Sequence, residues 1–319
     1  MFLGIEIGGT KLQLGVGPGD GTPLVALRRV AVDPQYGAER IRQQLQHAAK
    51  PLIAQYGIAA VGVGFGGPVD AAAGRAIISH QVDGWEDFPL ADWCRRQLSL
   101  PTAVANDSDL AGLAEARFGA GRGHRVVFYT NVGSGIGGAL VVDGQLYRGG
   151  AGVASELGHL RPGPQADRPE QTVESIASGF AIASAARRRL AESHQADQEA
   201  AADLLRRCDG QVHRLTTSTV AQAAAEGNRL AREIFDHACR TFGWAVAQMI
   251  TLLAPNVVVI GGGVSLVGEE LLLVPLREYV SGYVFPPLQG SFEIVPAKLG
   301  EEVVVHGALA IATAIHTGQ

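Results

Sequence analysis

Three glycine clusters and a handful of carboxylates are the parts of this sequence whose types and spacing could do chemistry. The first cluster is Glu6-Ile-Gly-Gly-Thr-Lys11. Two glycines after an apolar run let backbone N–H groups approach an anion, and Thr10 sets a hydroxyl beside them. Glu6, at the end of that run, could hold a metal ion against phosphates. The same residues also read as a plain hairpin turn. The second cluster, Asn131-Val-Gly-Ser-Gly-Ile-Gly-Gly138, contains Gly-x-Gly-x-x-Gly in form. The dinucleotide-binding version of that motif opens a helix, whereas a strand-like run follows here at 139–142, so a phosphate-holding turn is the better reading. The third, Val257-Val-Val-Ile-Gly-Gly-Gly-Val-Ser265, runs strand, glycines, helix. It could admit a flat purine, direct a helix N-terminus at phosphate, or serve only as a tight turn.

Among the carboxylates, Asn106-Asp107 follows a short apolar run and opens a helical stretch. An aspartate there can be an N-cap. It can equally accept a proton from an attacking hydroxyl, a role worth ~100- to 10,000-fold in rate. Glu156-Leu-Gly-His159 sets an acid and an imidazole around a glycine, as a polyol-binding loop would, or as a surface turn with a satisfied histidine would. Glu174 opens a helix, where the helix dipole favours a negative charge.

These residues must be positioned by a larger frame. Residues 3–7 and 12–16 are apolar runs around the first glycine turn, and residues 126–132 and 136–142 repeat the pattern around the second. A repeat of that length points to duplicated domains. Between them, helical periodicity over 38–56, 90–98 and 108–118 alternates with strand-like runs at 59–65 and 103–105, which argues for α/β layers. The second half is richer in helix: 173–190, 198–207 and 229–253 read as helices. A buried strand follows at 257–260, then a helix from about Leu266, and a last apolar helix at 303–314. Residues 161–170, rich in Pro, Asp, Arg and Gln, read as a loop.

The composition excludes several classes. With 319 residues, 47% of them apolar, the chain can bury a large core, while 18% charged residues and a net charge of −5 with no basic run speak against nucleic acid. Glycine, at 42 residues, stands well above the usual ~7%. No apolar stretch nears the ~18–20 residues of a membrane span. The N-terminus lacks a basic, signal-like region, so a cytoplasmic protein is expected. Cys94, Cys208 and Cys239 are too few and too widely spaced for a disulfide framework.

Taken in order, Glu6-Ile-Gly-Gly-Thr-Lys11, Gly66-Gly-Pro-Val-Asp70, Asn106-Asp107, Gly133-Ser-Gly-Ile-Gly-Gly138, Glu156-Leu-Gly-His159, the stretch from Glu174 to Gly179 and Gly261-Gly-Gly263 resemble the ROK family of sugar kinases over nearly the whole chain. The resemblance implies an actin-like, ribonuclease-H-like ATPase fold: two α/β domains around a cleft, with the final helix packed back on the first domain. On this basis one domain is expected over residues 1–118 plus 303–319, and a larger one over 119–302. It further implies ATP-dependent phosphorylation of a hexose hydroxyl at C6, glucose-like or N-acetylhexosamine, with Asp107 as general base. Gly67, Asn106, Asp107, Glu156, His159 and Glu174 would bind the sugar. Glu6, Gly8, Gly9, Thr10, Lys11, Gly133, Ser134 and Gly135 would hold ATP and magnesium, Glu6 reaching the metal through water, and Gly261, Gly262 and Gly263 would line the adenosine site. A homodimer is expected, and no nucleic-acid or membrane partner.

The chain departs from the family's pattern at four places. Glu6 stands where the family carries Asp. Residues 161–171 replace a cysteine-rich zinc loop, so no zinc is expected. Gln81, in Ser79-His-Gln-Val-Asp-Gly-Trp85, replaces a usual Asn. Asp109 brings a charge two residues from Asp107, which is expected to raise the pKa of that carboxyl. The first glycine turn lies so near residue 1 that no helix-turn-helix is expected before it. Two rival readings follow: a catalytically impaired sugar-binding or regulatory protein, argued from Glu6, and an actin- or chaperone-like ATPase, against which the Glu156-x-Gly-His159 loop speaks.

Overall fold

Strand β1 (Phe2–Ile7) and strand β2 (Lys11–Gly17) form the expected first hairpin, with Glu6 paired to Gln13 and Ile7 to Leu12. In this computed structural model, residues 1–79, 81–163, 167–192 and 198–318 are described. His80 of the Ser79–Trp85 segment, residues 164–166 of the 161–171 loop, and Gln319 lie outside them. The chain divides into two compact units: Met1–Val127 with Ala139–Ala154 and Ala297–Gln319, and Phe128–Gly138 with Ser155–Pro296.

Unit one is built on a five-stranded sheet of order β3-β2-β1-β4-β7, where β3 is Ala26–Ala31, β4 is Ala60–Phe65 and β7 is Thr102–Asn106. β1, β2 and β3 run antiparallel, while β4 and β7 join β1 in parallel. The parallel part is buried on both faces, hence its near-continuous apolar sequence. One face carries α1 (Gly37–Tyr56), whose Ile41 and Leu45 are buried, and α2 (Leu90–Leu98). Trp85 and Phe65 meet edge-on at 5.2 Å in this core.

Against the other face lie α3 (Asp107–Phe118) and the last helix, α10 (Val303–Thr317), so the helix does return to the first sheet. Glycine permits its approach. A Cβ on Gly4 would stand 2.6 Å from the carbonyl oxygen of Val305, and one on Gly62 would overlap the carbonyl oxygen of Ala308. The helix therefore sits on backbone rather than on side chains, and part of the glycine excess is explained. The fully buried carboxylate of Glu115 fixes the approach to α10: Oε1 accepts the N–H groups of Lys298 and Leu299, both at 2.8 Å, and Oε2 accepts that of Ala120 at 2.7 Å.

Unit two holds most of a second sheet of order β10-β9-β8-β11-β12. In it, β8 is Val126–Val132, β9 is Ile136–Val142, β10 is Gln145–Tyr147, β11 is Val257–Gly261 and β12 is Glu293–Pro296. Its core runs along α8 (Arg229–Leu253), where Phe235, Phe242, Val246 and Ile250 pack with Val258, Ile260, Leu276 and Val280.

Two expectations fail here. Residues 173–190 form two helices, α4 (Val173–Ala177) and α5 (Gly179–Ala191). Ser178 is extended, at φ −69° and ψ 164°, and its hydroxyl accepts the N–H of Ala181 at 3.2 Å, so it caps a new helix instead of continuing the old one. No α-helix starts near Leu266 either. A 3-10 turn over Gly263–Val267 and a π turn over Glu269–Leu273 precede α9 (Val274–Tyr283), because Gly268, at φ 95°, breaks the run. α6 (Gln198–Arg207) forms as expected, whereas sequence periodicity missed α7 (Thr217–Ala225) and the short strands β3, β5 (Val69–Asp70), β6 (Arg75–Ala76), β10 and β12. Among the described residues no helix is long and apolar enough to cross a membrane.

Candidate active site

In unit one the site grows from the C-terminal ends of β1, β4 and β7, the end of an open α/β sheet at which ligands bind. β1 delivers Glu6 and the turn after it. That turn is closed by the N–H of Gly8 on the carbonyl of Lys11 at 2.9 Å, and tied to the end of β4 by the N–H of Gly66 on the carbonyl of Ile7 at 2.9 Å. Thr10 is exposed at its tip. The side chain of Gln81 lies over Gly9, where any Cβ would collide with its Oε1. Gln81, which stands where the family usually has Asn, is thus a neighbour of the first glycine turn.

β7 delivers Asn106 and Asp107. Asn106 is the N-cap of α3: its Oδ1 accepts the N–H groups of Ser108 at 2.8 Å and Asp109 at 3.2 Å, and its Nδ2 donates to the carbonyl of Gly67 at 3.0 Å. The cap is therefore Asn106, and the carboxylate of Asp107 is left to face the glycines. Its Oδ2 would stand 3.4 Å from a Cβ on Gly66, a position also only 3.6 Å from the Cα of Gly8. Burial pushes the Asp107 carboxyl up to about 6, opposed by the N–H of Ser108 and aided by the charge of Glu6. Asp109 takes no part in that shift. Its Oδ2 pairs with Arg148 Nε at 3.3 Å, so its charge is answered locally and the expected effect on Asp107 comes from burial and Glu6 instead.

Glu6 is itself buried. One oxygen pairs with Lys11 Nζ at 3.2 Å, and the other accepts from Gln13 Nε2 at 2.6 Å. Among the described residues no group of three or more His, Cys, Asp or Glu side chains forms a metal cage. Glu6 and Asp107 are instead two acidic groups close enough to act on each other, and one or two carboxylates completed by water and phosphate oxygens is a donor set magnesium accepts.

In unit two, β8 and β9 deliver the second glycine turn, closed by the N–H of Gly133 on the carbonyl of Gly135 at 2.9 Å, with Ser134 exposed. Glu174, in the first turn of α4, braces it: its Oε2 accepts the N–H of Ile136 at 2.7 Å. Gly158 presses on the same residue from the other side, since any Cβ there would overlap the Ile136 carbonyl oxygen. The structure thus joins Glu174, the second glycine turn and the Glu156-Leu-Gly-His159 loop through the backbone of one residue, Ile136. Within that loop Leu157 and Gly158 are buried, and Glu156 and His159 are exposed. At the third cluster, Gly262 has φ 86°, and a side chain there would strike the backbone of Val132. Gly179 donates its N–H to the carbonyl of Gly133 at 2.8 Å, so the second and third clusters and the start of α5 share one backbone-lined corner.

Sequence reasoning missed Gln13 and Arg148. The signal for Gln13 was present: it is the one polar residue inside the apolar run of β2, and counting back from the turn sets it opposite Glu6. Arg148 gave no local signal, since its pairing with Asp109 depends on the return of the chain through β10.

The comparisons with known proteins agree with one another. The sequence model of the ROK family matches residues 2–315. A glucokinase of Thermotoga maritima is 31% identical over 314 residues, covering 97% of this chain and 96% of that enzyme. The crystal structure of a ROK family glucokinase from Streptomyces griseus, in complex with glucose and AMPPNP, superposes with a TM-score of 0.83 at 31% identity, over 98% of this chain and 99% of that one. A ROK hexokinase from Thermus thermophilus superposes with a TM-score of 0.78 at 28% identity, over 100% and 99% of the two chains.

Proposed function

Because the chain belongs to the ROK family and is a glucokinase-like sugar kinase, we propose that it moves the γ-phosphoryl group of ATP to the C6 hydroxyl of a glucose-like hexose, with Asp107 as general base. The observation that carries this reading is the setting of Asp107. Its carboxyl is pushed up to about 6 at the mouth of a glycine-lined strand end. A base titrating there is ionised at neutral pH and still basic enough to take a proton from an attacking hydroxyl.

The division of labour follows from what each element presents. Asn106 is held rigid by three hydrogen bonds and offers Asp107 in one orientation. Gly67, Asn106, Asp107, Glu156, His159 and Glu174 are the groups proposed to bind the sugar. Glu174 spends one oxygen on the Ile136 N–H, so in this reading it fixes the second glycine turn as well. Gly8, Gly9, Thr10 and Lys11, and separately Gly133, Ser134 and Gly135, are proposed for the phosphates, and Gly261, Gly262 and Gly263 for the adenosine. Magnesium, which the family implies with ATP, would be held by Glu6 through water, and it would supply charge neutralisation at the β- and γ-phosphates. Phosphoryl transfer needs position and electrostatics above all, and glycine turns, a buried carboxylate and a fixed base provide those.

The test is ADP release from ATP and magnesium across a panel of hexoses and N-acetylhexosamines, with Asp107→Asn beside it. Turnover with one sugar, lost in the variant, is the expected result. Folded protein that turns over none of them would refute the reading.

A further inference from the structure

Gln13 is fully buried in the middle of β2. Strand register sets it directly opposite Glu6 on β1 and directly opposite Arg29 on β3. Residues opposite one another share a face of the sheet, so three adjacent strands bring a carboxylate, an amide and a guanidinium into one row. Gln13 Nε2 donates to Glu6 Oε2 at 2.6 Å and to the backbone carbonyl of Glu301 at 3.0 Å. Its Oε1 accepts from Arg29 Nε at 2.8 Å. Arg29 Nη2 continues the row to Glu302 Oε1 at 3.2 Å, at the N-cap of α10.

A glutamine amide has two donors on nitrogen and an acceptor on oxygen. Here both donors meet acceptors, and the oxygen meets a group that can only donate. Turning the amide over would set its oxygen against a carboxylate and a carbonyl, and its NH2 against a guanidinium. One orientation is therefore allowed, and it is held from three directions. It fixes Glu6 Oε2 and leaves Oε1 to Lys11, the residue that closes the first glycine turn, 3.2 Å from Nζ.

We infer that Gln13 is a positioning residue for the phosphoryl transfer: it anchors one oxygen of Glu6 to the row ending at α10, so that the other oxygen stands fixed at the first glycine turn for a magnesium–nucleotide. This rests on the kinase reading above. Gln13→Met keeps length and removes both donors, and Mn2+ serves as the probe, its free concentration read by electron paramagnetic resonance in the presence of ADP. The variant binds Mn2+ about tenfold more weakly than the unaltered protein. In steady state its kcat falls while the KM for hexose holds. In a Glu6→Gln background the same substitution adds no further loss, because its effect runs through Glu6. Arg29→Gln, at a half-exposed site that leaves the core intact, removes the guanidinium that holds Gln13 Oε1, loosens the anchored amide and weakens Mn2+ binding in the same direction. Equal Mn2+ affinity in all variants, or an undiminished loss on top of Glu6→Gln, overturns the inference alone. Unaltered protein that binds no Mn2+ with ADP overturns the kinase reading and this inference with it.

Discussion

Replacing Asp107 with Asn should make the protein both inactive and more stable, and the two effects have one cause. Asp107 is pushed from 3.8 up to about 6, chiefly by burial and then by the charge of Glu6. A shift of roughly two units corresponds to about 3 kcal/mol between the two protonation states. The direction is set by linkage: an acid whose pKa is raised on folding favours its neutral form in the folded chain. Its ionised form therefore costs stability, fully above about pH 6 and progressively less as pH falls toward 3.8. Asn keeps the shape and the acceptor for the Ser108 N–H and carries no charge. At pH 8 the variant should thus be more stable by up to ~3 kcal/mol, with the gain shrinking through pH 6 and gone near pH 4. Hexose phosphorylation should fall ~100- to 10,000-fold. In the unaltered protein kcat/KM should be half-maximal near pH 6 and drop about tenfold per unit below it. Urea unfolding at pH 8, 6 and 4.5, set beside the pH profile of kcat/KM, measures both. An acid limb near pH 4, or an Asn variant less stable at pH 8, would refute a general base whose charge is held at a cost by burial.

Three further outcomes follow from particular contacts. Glu6→Gln removes the like charge beside Asp107, so the acid limb of its residual activity should move below that of the unaltered protein. Gly62→Ala drives a methyl into the carbonyl of Ala308 and should cost about 1–3 kcal/mol or more in urea unfolding; an unchanged midpoint would show that α10 can shift. Glu174→Ala orphans the Ile136 N–H, which should cost about 1–3 kcal/mol and raise the KM for ATP through a loosened glycine turn.

Much of the fold was legible in the sequence wherever the determinant is local. The two glycine hairpins show in apolar runs split by glycines, and α2 begins and ends where its periodicity does. Asp107 could be read in the sequence as a candidate base or as a cap, and the structure gives the cap to Asn106. The failures have non-local causes. Ser178 breaks a periodic helix because the Gly179 N–H goes to Gly133, a partner far away in sequence. The charge of Asp109 reads as a perturbation of Asp107, yet Arg148, just beyond β10, meets it. β3, exposed along much of its length, lacks the apolar alternation that would announce a strand, and it pairs because β2 offers an edge.

The seating of α10 on bare backbone has a consequence for how the molecule is made. β1, β2, β4 and β7 are translated well before the helix that settles on their glycine-lined face. Until α10 is made, among the described helices only α3 lies against that face, whereas the long stretch Ser155–Pro296 of unit two is already translated and can condense. A nascent chain halted before residue 303 therefore presents a partly uncovered sheet to holdases and proteases. Closure of the first unit therefore waits for residues 303–317, however much of the chain before them has already folded.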